Sequence, residues 1–223
     1  GSYNQRSNYS IADNKLATKS AAISRGIPVP ELYGTVEHQF QVRSVGEQIR
    51  ALTSFVIKPA QGSGGKGILV ITGRDGDRFV KSSGALISIR AVKRHISNIL
   101  AGLHSLGGRN DVAMIETLID FDPGLKDYSF EGVPDIRIIV FRGVPVMAMM
   151  RCATKASDGK ANLHQGAVGV GIDIGSGQAV AAVQQSALIA QHPDTGIGFD
   201  ALEVPSWSQV LNLAAGCANM ASL

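Results

Sequence analysis

The sequence predicts an α+β fold, with two subdomains built on mainly antiparallel sheets. Three observations lead there. Strand-like segments outnumber helical ones. Several are joined as hairpins, most plainly Asp135–Phe141 to Val144–Ala153 around Arg142-Gly143. Helical patterns do not alternate with strands one for one, as parallel βαβ units would require.

The elements follow in chain order. Tyr3–Ser10 is polar and expected to fray. Asp13 can cap a helix over Asn14–Arg25, with Gly26 as its stop and Pro28 and Pro30 preventing continuation. Val36–Val45 and Phe55–Lys58 read as strands. A glycine-dense loop, residues 61–67, separates Phe55–Lys58 from the apolar run Ile68–Ile71, and Gly73-Arg74-Asp75-Gly76-Asp77 reads as a turn. Val92, Ile96, Ile99, Leu103 and Leu106 recur at helical spacing, closed by Gly107-Gly108. Val112–Ile119 is the next strand, Asp120–Pro134 an irregular connection, and the long hairpin follows. Lys155–Lys160 is expected to be mobile and leads into the glycine-punctuated Asn162–Gly177. Ser206-Trp207-Ser208-Gln209 matches a capping box, and Val210, Leu213, Ala214 and Cys217 stripe the helix after it.

At 223 residues the chain is long enough to bury roughly 70% of its extended-state surface. With 44% hydrophobic and 17% charged residues it is neither disordered nor fibrous. No apolar run approaches the roughly 20 residues of a membrane helix. Cys152 and Cys217 form neither a disulfide framework nor a metal-knuckle spacing, which fits a reducing cytoplasm. A net charge of +3 is too mild to argue for nucleic acid, and small anionic ligands stay open. Gly1-Ser2 reads as a cloning scar, and the end at Leu223 falls inside a helical pattern, so a fragment is expected.

Gly62-Ser63-Gly64-Gly65-Lys66-Gly67 satisfies G-x-G-x-x-G. A dinucleotide fingerprint would open a helix, whereas Ile68-Leu69-Val70-Ile71 reads as a strand. The Walker A pattern fails at Ala60 and Gly67, and no kinase His-Arg-Asp or Asp-Phe-Gly follows. A strand–loop–strand hairpin remains, with Lys58 just before it. Its backbone N–H groups can approach phosphate oxygens, and the lysine adds a point charge. A flexible surface hairpin with solvated lysines is the alternative.

Taken together, these features resemble the ATP-grasp superfamily, in its α-L-glutamate ligase-like branch related to ribosomal-protein glutamate ligase. The resemblance rests on Asp13-Asn14-Lys15, Gly26-Ile27-Pro28-Val29-Pro30 and Phe55-Val56-Ile57-Lys58-Pro59 with the glycine loop. It continues through Met114-Ile115-Glu116-Thr117-Leu118-Ile119, Asp135-Ile136-Arg137, Arg151 and Asn162-Leu163-His164-Gln165-Gly166. It implies an entry helix with linking strands over 1–54, a glycine-loop lid over 55–119 and a larger subdomain over 120–223. Sheets in such a fold sandwich a nucleotide.

The resemblance implies ATP and Mg2+ as cofactors, and a carboxylate substrate and an amine acceptor as partners. Lys15 and Lys58 would clamp phosphates with Gly62, Ser63, Gly64, Gly65, Lys66 and Gly67. The stretch Glu116, Thr117 and Leu118 would hold adenine through backbone groups, the Glu116 carbonyl and the Leu118 N–H, with Met114 and Leu118 as apolar walls, simple strand core being the alternative for those two. Asp135 would accept from ribose hydroxyls, an ion pair with Arg137 being the competing explanation. Arg151 and Lys58 would be the catalytic cations. Asn162 and His164 would face the substrate, with Asn162 a weak metal ligand and the main ligands beyond Leu223. The implied activity is an ATP-dependent carbon–nitrogen ligase working through an acylphosphate and adding glutamate or a similar amino acid. The alternative is a nucleotide-binding module without turnover, acting through a partner. Neither nucleic acid nor a membrane is implied, and a homo-oligomer stays open. Gln165 and Ala167 depart from the family pattern, so acceptor specificity does not transfer. His38, His95, His104 and His192 read as structural or exposed.

Overall fold

Asn14, rather than Asp13, caps the first long helix: its Oδ1 accepts from the backbone N–H of Leu16 at 2.9 Å and of Ala17 at 3.3 Å. The computed structural model describes residues 9–62, 64–218 and 220. It divides into two units, residues 1–119 and 120–223, each carrying an antiparallel sheet, as the sequence predicts.

In the first unit a short helix α1 (Tyr9–Asp13) precedes α2 (Lys15–Ile23), and Gly26 ends the turn after α2 at φ +68°. The strands are β1 (Leu32–Val36), β2 (Phe55–Pro59), β3 (Leu69–Asp75), β4 (Arg78–Lys81), β5 (Leu86–Ile87) and β6 (Ala113–Glu116). They form one sheet in the order β1-β6-β2-β3-β4-β5. Helices α3 (Val45–Gln48) and α4 (Ile89–Leu100) complete the unit.

Alternation in β2 and β6 sorts their side chains to two faces. Phe55, Ile57, Ala113 and Ile115 join Val92, Ile96 and Ile99 of α4 in the core. The opposite face carries Lys58 opposite Met114 and Val56 opposite Glu116. Met114 and Glu116 are also buried, at 0% and 2% exposure, so β6 is covered on both sides.

Three expectations fail in this unit. The strand at 36–45 stops at Val36, because the Gln41 side chain accepts from the backbone N–H of Glu37 and His38, both at 2.8 Å, and turns the chain into a 3-10 helix. The turn placed at 73–77 is mostly strand, with only Gly76 in the left-handed region at φ +55°. The helix after Ser88 ends near Gly102, not at Gly107-Gly108: Gly102 adopts φ +79°, and a Cβ there would collide with the Arg109 carbonyl. Leu103 consequently lies outside, 66% exposed.

The second unit orders its strands β11-β10-β9-β8-β7. They are β7 (Asp135–Phe141), β8 (Val144–Cys152), β9 (Val168–Ile172), β10 (Ala179–Gln184) and β11 (Ala187–Ile189). The long hairpin turns where predicted, Arg142 and Gly143 both having positive φ, +52° and +81°. Met150, Cys152, Val168, Val170 and Ala182 face a core completed by Leu125, Tyr128, Phe199, Leu202 and Trp207. Helix α5 (Trp207–Ala218) packs on β7 and β8 through Val210 and Leu211. Leu213, assigned to its buried stripe, is 41% exposed. Residues 155–160, expected to be mobile, form a tied turn: Thr154 Oγ1 donates to Gly166 O at 2.9 Å, and Lys155 N donates to Asp194 Oδ2 at 2.8 Å.

Candidate functional site

Lys15 and Lys19 stand one helical turn apart on α2, so both side chains leave the same face. That face meets the Lys58–Glu116 face of the sheet. Lys19 Nζ lies 2.7 Å from Glu116 Oε1 and donates to the Pro30 carbonyl. Lys58 Nζ pairs with the other carboxylate oxygen, Oε2. The Lys19 contact at Oε1 is an ion pair without hydrogen-bond alignment. A buried carboxylate is costly unless paired, and here each oxygen has its own cation.

Lys15 completes the cluster. Its Nζ donates to Gly62 O at 2.5 Å and to Ala60 O at 3.3 Å. Burial, and then the charge on Lys58, push the Lys15 ammonium below its ordinary pKa, while Asp111 and Glu116 pull it upward. Three ammonium groups thus gather near two carboxylates at the root of the glycine hairpin, leaving a positive surplus.

The stems of that hairpin are fixed. Buried Asp111 accepts from Gln61 N at 3.0 Å, from Val112 N at 2.7 Å and from the Ser105 hydroxyl. Gly62 pairs with Ser105 in an isolated β-bridge. At the far stem, His95 Nε2 lies 2.9 Å from Gly67 O; since a carbonyl only accepts, this nitrogen carries the proton. Burial holds the His95 imidazole below its ordinary pKa, and the charges of His104 and Lys81 act the same way. Gly64, Gly65 and Gly67 adopt φ of +62°, +74° and +76°, a region that side-chain-bearing residues rarely occupy. Lys66 is exposed. Ser63 lies outside the described residues.

In the stretch after β6, Thr117 N donates to Glu31 O at 2.9 Å, and the Thr117 hydroxyl is buried with no partner among the described residues. Leu118 is half-buried.

In the second unit Asp135 and Arg151 are register partners across β7 and β8. Arg151 Nε donates to Asp135 Oδ2 at 2.5 Å, and Nη2 donates to the same oxygen. The partner of Asp135 is therefore Arg151; Arg137 is exposed and stands opposite Met149. Asn162 caps a single turn, its Oδ1 accepting from His164 N at 3.1 Å, and His164 is exposed. Among the described residues no three His, Cys, Asp or Glu side chains group closely enough to hold a metal ion. His192 is buried, its Nδ1 accepting from Asp194 N and Thr195 N at 3.2 and 3.3 Å and its Nε2 donating to Ala153 O at 3.0 Å. A cleft of about 490 Å³ lined by Ala181, Ile189, Gln191, Phe199 and Asp200 holds none of these residues.

Sequence reasoning brought Lys15, Lys58 and Glu116 into one proposed site but missed Lys19 and Asp111. The four-residue spacing from Lys15 was the available signal for Lys19. Asp111 offered none, because its role is to bind backbone N–H groups distant in sequence.

The family described as sugar-transfer associated ATP-grasp matches residues 1–223. No curated protein sequence matches. Among solved structures, D-cycloserine synthetase DcsG is 13% identical with a TM-score of 0.47, over 94% of this chain and 51% of that one. A RimK domain ATP-grasp protein from Sphaerobacter thermophilus DSM 20745 is 14% identical with a TM-score of 0.41, over 98% of this chain and 70% of that one. The chain thus spans about half the length of the synthetase.

Proposed function

Because the chain belongs to the sugar-transfer associated ATP-grasp family, we propose that it binds ATP and serves an ATP-dependent ligase joining a carboxylate to an amine. The observation that supports this most directly is the gathering of Lys15, Lys19 and Lys58 around Glu116 beneath the glycine hairpin. A surplus of partly buried ammonium groups suits a polyanion, and backbone N–H groups of a glycine loop suit phosphate oxygens.

In the proposed reaction an oxygen of the substrate carboxylate attacks the γ-phosphorus of ATP, and ADP leaves. The amine nitrogen then attacks the acyl carbon of the acylphosphate, inorganic phosphate leaves, and the amine loses a proton. Lys58 and Lys15 neutralise phosphate charge, and Gly62–Gly67 covers it and excludes water. Glu116, Thr117 and Leu118 hold the base. Arg151 serves a phosphate and Asp135 the ribose, each exchanging the pair it now makes with the other for the ligand. Asn162 and His164 face the substrate. Glutamate or a similar amino acid as the joined acid is part of the same proposal.

Hydroxylamine tests it. An acylphosphate formed from ATP and a panel of carboxylic acids is trapped as a hydroxamate, with ADP released in equal amount. Lys58→Ala should abolish hydroxamate and most ATP-dependent thermal stabilisation, and Arg90→Ala on an exposed face of α4 should preserve both. Equal behaviour of the two variants would refute the site. A second reading, a nucleotide-binding module without turnover, is favoured by the pairing of both proposed catalytic cations within the chain. ATP-dependent stabilisation with no hydroxamate from any acid would select it.

A further inference from the structure

Glu116 is served by two lysines that differ in depth. Lys19 is 8% exposed in its side chain and is also held by the Pro30 carbonyl, whereas Lys58 is 24% exposed at the end of β2. Each takes a different oxygen of one carboxylate that is 2% exposed. Lys58 has the wider path to water, so of the two it is Lys58 that can turn toward an anion arriving from solvent. Leaving Glu116 would be prohibitive if that carboxylate were then alone, because stripping a buried charge of its partner is strongly unfavourable.

We propose that Lys19 is a positioning residue that keeps Glu116 compensated and thereby releases Lys58 to bind phosphate. In this arrangement Lys58 is parked on Glu116 when no ligand is bound and transfers to the phosphate when ATP arrives. Lys19 stays on Glu116 throughout and touches no ligand. The inference rests on the nucleotide-binding reading given above and adds to it the origin of Lys58's availability. It also gives Glu116 two tasks. The carboxylate holds Lys58 extended toward the hairpin root before binding, and it accepts full compensation from Lys19 afterwards.

The test is a set of ATP affinities, measured by titration calorimetry on wild type, Lys19→Met, Lys19→Arg, Glu116→Gln and the double variant Lys19→Met/Glu116→Gln. Without the Lys19 charge, Lys58 must abandon a buried carboxylate, so Lys19→Met should weaken ATP binding by roughly tenfold or more. Lys19→Arg should stay near wild type. The double variant removes both charges of the inner pair, so it leaves no buried ion unmatched and should bind ATP several-fold more tightly than Lys19→Met. Should Lys19→Met fail to fold, the double variant is compared with Glu116→Gln: with no carboxylate left to compensate, loss of the Lys19 charge should leave the ATP affinity of that background unchanged, which a merely structural role for Lys19 would not produce. Wild-type affinity in a folded Lys19→Met protein, a double variant no tighter than Lys19→Met, or, where Lys19→Met does not fold, a double variant that binds ATP differently from Glu116→Gln, would overturn this inference alone. A wild type that binds no ATP would overturn the nucleotide reading and this inference with it.

Discussion

Lys19 Nζ meets Glu116 Oε1 at 2.7 Å with both side chains almost out of water, 8% and 2% exposed. Such a pair contributes little when intact relative to an apolar replacement, but breaking it strands a charge. Glu116→Gln should therefore lower stability by about 3–5 kcal/mol, as an unmatched Lys19 remains inside. Urea unfolding followed by hydrogen exchange in β6 and β2 measures it, and a loss under about 1 kcal/mol would contradict the burial of the pair.

Asp135 and Arg151 make the opposite case. Their side chains are 41% and 25% exposed, so water screens the interaction. Asp135→Asn should cost no more than about 1 kcal/mol, and less at high salt. Thermal unfolding at two salt concentrations separates this pair from the Lys19 pair.

Two glycines of the hairpin predict different penalties. Gly64 has φ +62° and open space around a Cβ, so Gly64→Ala should cost about 1–2 kcal/mol for backbone conformation alone. Gly67 has φ +76°, and its Cβ would stand 2.6 Å from His104 Cγ. Gly67→Ala should destabilise further and loosen the loop stem. Parallel denaturation of the two variants checks the order, and a reversed order would refute the packing of His104 beneath Gly67.

Acid should weaken the same stem. Burial holds the His95 pKa below its ordinary value, so the unfolded chain takes up this proton more readily than the folded one. Stability from this group is complete above about pH 6.5 and declines as pH falls from there toward the lowered folded pKa. His104 and Lys81, the groups that face it, add to the effect. Thermal midpoints between pH 7.5 and pH 5 should fall less steeply in His95→Gln than in wild type.

The fold was legible where local chemistry and tertiary structure agree. The run Asp135–Phe141, the Arg142-Gly143 turn and Val144 onward carry their own strand and turn preferences, and the hairpin forms there. The helix over Val92–Ile99 was plain from its periodicity, but its end was not, because Gly102 is selected by the approach of the Arg109 carbonyl from a later segment. The β10–β11 hairpin escaped notice because Gln185 and Ser186 make its turn at φ +47° and +69° without glycine. Strand spacing cannot reveal Gln41 folding back on Glu37 and His38.

The candidate site divides similarly. Lys58 ends an apolar strand and announces itself as a charge in need of a partner. That its partner would be Glu116 depends on strand register, with Val56 rather than Lys58 standing directly opposite Glu116. Arg151 was visible as a lone charge on an apolar strand and Asp135 as a candidate partner of Arg137, and only the β7–β8 register pairs Asp135 with Arg151.

The glycine hairpin is anchored before and after its tip, at Gly62 by Ser105 and Lys15 and at Gly67 by His95. A flap hinged freely at its base would surrender much disorder when an occupant arrives, and that loss would be subtracted from the affinity. Here most of the ordering is completed when the chain folds. Attraction for an occupant is then governed mainly by how readily the lysines beneath shed their water, so salt and solvent composition should tune it more than loop length.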